Sequence, residues 1–106
     1  APTLYLLGDD QSWAPASAVS LTWKEGGVYE GTADFTNGSI FRFFANNNPA
    51  VWDWAGEQWR YSSFADGTID PNLEDGGGAD SNFRFAGTTG TYTIRVDLYD
   101  LVVELE

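Results

Sequence analysis

Short runs of β-forming residues, each closed by a turn signal, recur along this chain, and no helical apolar period lasts two turns. Residues 3–7 (Thr-Leu-Tyr-Leu-Leu) open a first strand, stopped by Gly8, Asp9 and Asp10. Residues 28–35 form a second, ended at Asn37-Gly38. That Asn-Gly pair, followed by Ile40-Phe-Arg-Phe-Phe44, reads as a hairpin. Residues 82–86 and 91–97 flank Gly87-Thr-Thr-Gly90, a second hairpin signal, and residues 101–105 close the chain as a final strand. Alternation sets Tyr92, Ile94 and Val96 on one face, with Thr93, Arg95 and Asp97 opposite. By the same rule Phe41 and Phe43 enter the core while Arg42 faces out, and Phe83, Arg84 and Phe85 repeat the pattern. Six or more strands at this spacing in 106 residues predict a single all-β domain over residues 1–106, an antiparallel β-sandwich of immunoglobulin-like or jelly-roll-like type. Residues 46–81 hold one apolar run and are expected to be mostly loop, with at most one strand. A loop of that length in a compact domain carries function.

Composition removes much chemistry. There is no Cys and no His, hence no thiol nucleophile, no disulfide and no usual zinc site, and the commonest proton shuttle near neutral pH is missing. A formal net charge of −11, from sixteen acidic and five basic residues, repels phosphate backbones and acidic polymers. Neutral ligands and hard cations remain. No apolar stretch has the length of a membrane span. The start at Ala1-Pro2-Thr3 and the low lysine content are those expected of a module from a longer or processed chain that is secreted or held at the cell surface.

Trp52, Trp54 and Trp59 lie within eight residues of one another, among Asp53, Glu57, Gln58 and Arg60. Core strands seldom place three indoles beside so many charged and amide neighbours. An indole offers a broad apolar face and one N–H donor, which suits a ring that is apolar on its faces and hydroxylated at its edge. On extended chain Trp52 and Trp54 share a face, their Cα atoms roughly 6.7 Å apart, and make a platform for a pyranose chain. Asp53, Gln58 and Arg60 are the nearest groups able to bridge hydroxyl pairs, with Asn46, Asn47 and Asn48 behind them. Trp13, in the first loop, either joins this surface or plugs one end of the fold. Trp23 reads as structural or peripheral.

Residues 66–80 carry five acids and no base among glycines. Calcium takes six to eight oxygen ligands from such a folded-back loop, so Asp70, Asn72, Glu74, Asp75 and Asp80 are candidate ligands of a structural calcium. Asp70, Asn72 and Glu74 alternate as at the start of an EF-hand loop, but Asp75 stands where that loop needs Gly and Ser81 where it closes on Glu. A solvated acidic loop is the alternative.

Leu4-Tyr-Leu-Leu-Gly8-Asp9 with Trp13 downstream, Phe41-Arg-Phe43, Trp52 and the closing Gly90-Thr-Tyr92-Thr-Ile-Arg-Val-Asp97 are similar to the SusE/SusF-like glycan-binding domains of Bacteroidetes surfaces. The pattern spans nearly the whole chain in short, degenerate elements, and implies a non-catalytic carbohydrate-binding module with a starch-type ligand. The denser Trp52-Trp54-Trp59 cluster and the acidic loop depart from it. They resemble β-glucan-binding modules of cellulases, in which aromatic platforms meet an extended chain and calcium often stiffens a loop. The resemblance thus implies β-1,4-linked glucans (cello-oligosaccharides, xyloglucan, mixed-linkage glucan), with starch as the alternative. The parent would be a larger glycoside hydrolase or surface glycan-binding protein. Two other classes compete. A glycosidase needs two carboxylates across a cleft, which a domain this small rarely encloses. A calcium-stabilised adhesion or spacer domain would account for the acids but leaves the indoles without a role.

Overall fold

The computed structural model describes residues 3–45 and 58–106. Ten strands run through them: β1 (Thr3–Gly8), β2 (Val19–Glu25), β3 (Val28–Phe35), β4 (Ile40–Phe44), β5 (Gln58–Trp59), β6 (Thr68–Ile69), β7 (Leu73–Asp75), β8 (Phe83–Phe85), β9 (Gly90–Asp97) and β10 (Val102–Leu105). The chain is all-β, with short 3-10 turns at Asp9–Gln11, Pro15–Ser17 and Tyr61–Phe64. No helix among the described residues is long and apolar enough to cross a membrane.

All ten strands belong to one sheet, in the order β6-β10-β9-β3-β2-β1-β4-β8-β7, with β5 added to β4. Pairing is antiparallel except between β10 and β6. The two ends of this order, β6 and β7, are consecutive in sequence. Asp70-Pro71-Asn72 joins them, closed by the Leu73 amide donating to the Asp70 carbonyl at 2.9 Å. The sheet therefore curls back on itself and is nearly closed into a barrel.

The alternation read from sequence sets the faces. Leu4 and Leu6 of β1, Phe41 and Phe43 of β4, Phe83 and Phe85 of β8, and Ile94 and Val96 of β9 all point into the core. Phe41 and Phe83 stack with centroids 5.2 Å apart, and Phe35 meets both Phe41 and Phe85 at 5.3 Å. Pairs of this kind add about 0.5–1.5 kcal/mol each beyond the area they bury.

Neither expected hairpin forms. β3 pairs with β2 and β9, whereas β4 pairs with β1, β5 and β8. The Asn37-Gly38 turn thus carries the chain across the core from one wall to the other, and residues 86–89 bring it back. Both neighbours of β3 are supplied by other strands, so its edge is not open to β4, and Phe35 and Phe41 face each other through the core instead. The two crossings are fastened together. The Asn37 amide donates to Thr89 Oγ1 at 2.9 Å, Asn37 Nδ2 to the Gly87 carbonyl at 2.8 Å, and the Gly38 amide to the Phe85 carbonyl at 2.7 Å.

Candidate binding site

β1 and β4 run unusually close where β1 ends. A Cβ on Gly8 would lie 2.1 Å from the Ile40 carbonyl oxygen and 2.5 Å from the Phe41 Cβ, so only glycine fits. This approach lays the loop after β1 against the start of β4. Asp9 fastens it: Oδ2 accepts from the Ile40 amide at 3.0 Å, and Oδ1 accepts from Trp13 Nε1 at 2.8 Å. Asp10 does the same one residue on, accepting from the Thr36 amide, Thr36 Oγ1 and Ser39 Oγ.

Within that loop Ser12 and Trp13 both take left-handed backbone, φ 55° and 54°. For residues with a Cβ this costs about 1–3 kcal/mol each, and such strain concentrates where a side chain must be held in a particular place. The Trp13 amide donates to the Gly8 carbonyl at 3.0 Å, and the indole N–H is held by Asp9. Trp13 is half-buried, with its indole N–H engaged inside the protein.

The ring borders an open groove of about 320 Å³ lined by Trp13, Ile40, Arg42, Asp80 and Asn82. Arg42 is on the outer face of β4, as its parity predicts, yet it is only 6 % exposed. It does not face solvent as the sequence suggested. Leu7 sits beside it in the β1–β4 ladder, and Phe44 shares its face; both are buried. The outer face of β4 is a second interior. Its guanidinium donates from Nε to Asn82 Oδ1 at 2.5 Å, from Nη1 to Gln58 Oε1 at 2.8 Å and from Nη2 to the Asp80 carbonyl at 3.4 Å, with the Asp80 carboxylate 3.6 Å away. Burial and the neighbouring Arg60 pull the Arg42 pKa below its ordinary value, and Asp80 pulls it back up.

The remaining sequence candidates divide. Gln58 supports Arg42. Arg60 donates to the carbonyls of Ala79 and Asp80 at 3.1 and 3.2 Å and so anchors the loop that carries Asp80. Trp59, one residue from Gln58 and hence on the opposite face of β5, pairs with Phe43 and packs against the core. It is not in the Trp13 groove. Trp52, Asp53, Trp54 and Asn46 to Asn48 lie outside the described residues. Their flanks do not: Phe44 and Gln58 pair across β4 and β5, two residues from Arg42.

The five expected calcium ligands are engaged separately. Asp70 Oδ1 accepts from the Asn72 amide at 2.9 Å and Oδ2 from the Leu105 amide at 3.0 Å. The Asn72 backbone carbonyl accepts from the Ala86 amide at 2.8 Å. Glu74 pairs with Arg84 at 2.7 Å, Asp75 Oδ1 accepts from the Gly77 amide and Ser81 Oγ, and Asp80 faces Arg42. Among the described residues no three acidic side chains gather as a metal site would need.

Another depression, of about 400 Å³, is lined by Asp10, Gln11, Ser12, Thr32, Asp34 and Thr91 among others. It has no aromatic ring, and its carboxylates are engaged, Asp34 accepting from Thr91 Oγ1 at 2.5 Å. Sequence reasoning passed over Asp9, Arg42 and Asn82. A signal for Arg42 was present: Ile40 and Phe44 share its parity, and two apolar neighbours on an outer face mean that the face is covered.

Comparison with protein-family models, curated proteins and solved structures finds no match.

Proposed function

We propose that this domain is a non-catalytic carbohydrate-binding module, secreted or carried at the cell surface, that takes neutral polysaccharide at the Trp13–Arg42–Asp80–Asn82 groove. The observation that carries the reading is Trp13: an indole held on left-handed backbone, its N–H engaged by Asp9, lines one groove together with a guanidinium, a carboxylate and an amide. A pyranose needs that combination, an apolar surface for its C–H face and directional groups for its hydroxyls. Among the described lining residues Asp80 is the one carboxylate, whereas glycoside hydrolysis uses two. The ligand class favoured is β-1,4-linked glucan, on the strength of the Trp52-Trp54 pair in the sequence between β4 and β5.

Affinity gel electrophoresis on hydroxyethylcellulose, xyloglucan and starch tests this directly. Retardation by the two β-glucans is expected, lost in Trp13→Ala and in Trp54→Ala at unchanged melting temperature. Retardation by starch alone would transfer the site to α-glucans, and release of reducing sugar by the purified domain would overturn the non-catalytic reading.

A further inference from the structure

At the end of the sheet where β1 and β3 begin and β4 and β9 finish lies a different groove, of about 520 Å³, lined by Thr3, Tyr29, Ala45, Trp59, Leu98 and Tyr99 around Leu4. It shares no residue with the Trp13 groove. None of these side chains is charged, in a chain of net charge −11.

Three features mark it as built. Tyr99 is 77 % exposed, the most exposed large aromatic among the described residues, yet its position is fixed. Its amide donates to Asp97 Oδ1 at 2.9 Å, and the ring lies on the backbone of Gly27, where a Cβ would come within 2.9 Å of Tyr99 Cγ. The Leu98 amide donates to the Gly27 carbonyl at 2.9 Å, which ties the β9–β10 turn to the β2–β3 turn. Next, the polar atoms of the rings are available. Of the three described tryptophans, Trp13 and Trp23 spend their indole N–H inside the protein, on Asp9 and on the Gly26 carbonyl. Trp59 Nε1, Tyr29 Oη and Tyr99 Oη make no hydrogen bond among the described residues. Finally, Trp23, 38 % exposed, stands opposite Tyr29 in the β2–β3 ladder and extends the aromatic surface beyond the groove.

Aromatic faces, unspent N–H and O–H groups and an uncharged lining select a neutral, polyhydroxylated ring. A purely apolar ligand would leave the donors unsatisfied, and a charged one would find no counter-charge. We propose that this groove is a second carbohydrate subsite, so that one domain engages a glycan at two places. The choice of ligand rests on the carbohydrate reading above; the groove itself does not depend on Trp13.

Indole N–H signals of ¹⁵N-tryptophan-labelled protein, titrated with cellohexaose and, separately, with maltoheptaose, test both sites at once. Expected are saturable shifts of Trp59 and of Trp13, with Trp13→Ala leaving the Trp59 response intact. Tyr99→Ala, at an exposed position that leaves the fold in place, should weaken the Trp59 response by about tenfold without changing that of Trp13. Shifts at Trp13 alone overturn the second subsite and leave the first. Shifts at Trp59 alone support the second and overturn the first. Silence at both with either sugar overturns both, and a Trp59 response indifferent to Tyr99→Ala also refutes the subsite.

Discussion

Replacing Arg42 by Met tests the network behind the groove with a magnitude that can be worked out in advance. The methionine keeps most of the packing of the arginine stem against Leu7 and Phe44 while removing the guanidinium. Asn82, 7 % exposed, then has an amide oxygen without its charged donor and with little access to water. A buried acceptor left in that state costs about 1–3 kcal/mol. Gln58 Oε1 loses the same donor but is half-exposed and recovers part of the loss from solvent, so its share is about 0.5–1.5 kcal/mol. Two effects run the other way. The burial that depresses the Arg42 pKa is relieved, and so is the repulsion from Arg60. The balance is a destabilisation of about 2–3 kcal/mol. For a domain of this size that is a fall in melting temperature of roughly 8–24 °C. Urea unfolding followed by tryptophan fluorescence measures it. The decisive step is the cycle with Asn82→Leu, because removing both partners of that bond leaves neither of them orphaned, while the Gln58 share is common to both Arg42 variants. The double variant should be more stable than the sum of the single losses predicts, by about 1–3 kcal/mol. An Arg42→Met variant within about 0.5 kcal/mol of wild type, or strict additivity in the cycle, would refute the network.

Asp80→Asn separates recognition from stability: the carboxylate is 80 % exposed and 3.6 Å from Arg42, so melting should change by no more than about 1 kcal/mol while glucan retardation falls. Asp9→Ala should do both, costing about 1–3 kcal/mol through the orphaned Ile40 amide and loosening Trp13 so that affinity drops, as circular dichroism and affinity electrophoresis together will show. Calorimetry in EDTA and then in excess calcium probes residues 66–80; with Asp70, Glu74 and Asp75 committed to separate hydrogen bonds the midpoint should stay put, and a rise would mean that these carboxylates turn towards an ion.

The core was legible because it depends only on period. Leu4, Leu6, Phe41, Phe43, Phe83, Phe85, Ile94 and Val96 follow a two-residue alternation that the sequence displays directly. Connectivity was not, because a turn signal states that the chain bends and not which strand it will meet. Asn37-Gly38 bends as expected, but β9 already holds the edge that a hairpin would have used. Short strands were missed for the same reason. β5, β6 and β7 have two or three residues each, too few to show a period; β5 and β6 add to the longer β4 and β10, and β7 to the equally short β8. Of the candidate site, Trp13, Gln58 and Arg60 stand out by residue type alone, whereas Trp59 has the parity opposite to that of Gln58 and packs against the core beside a different groove.

The acid content illustrates a wider difficulty in reading function from charge. Six aspartates, Asp9, Asp10, Asp34, Asp70, Asp75 and Asp97, accept hydrogen bonds from backbone amides or hydroxyls at turns and crossings. A chain without cysteine must hold its connections by other means. In a sheet whose two walls are joined by crossings rather than hairpins, each crossing presents amides that no ladder satisfies. A short carboxylate is the side chain best able to take two of them at once. Six of the sixteen acids therefore serve as fastening at turns and crossings. A loop dense in Asp, Asn and Gly is what such fastening produces whether or not a cation is ever bound. The basic residues are the sharper signal. Arg84 and Arg95 answer Glu74 and Glu30, while Arg42 and Arg60 converge on the Asp80 carbonyl beneath a strained tryptophan. Two guanidinium groups brought to one carbonyl repel each other, yet together they anchor the loop that carries Asp80. That anchoring sets Asp80 and Asn82 along the groove that Trp13 also lines.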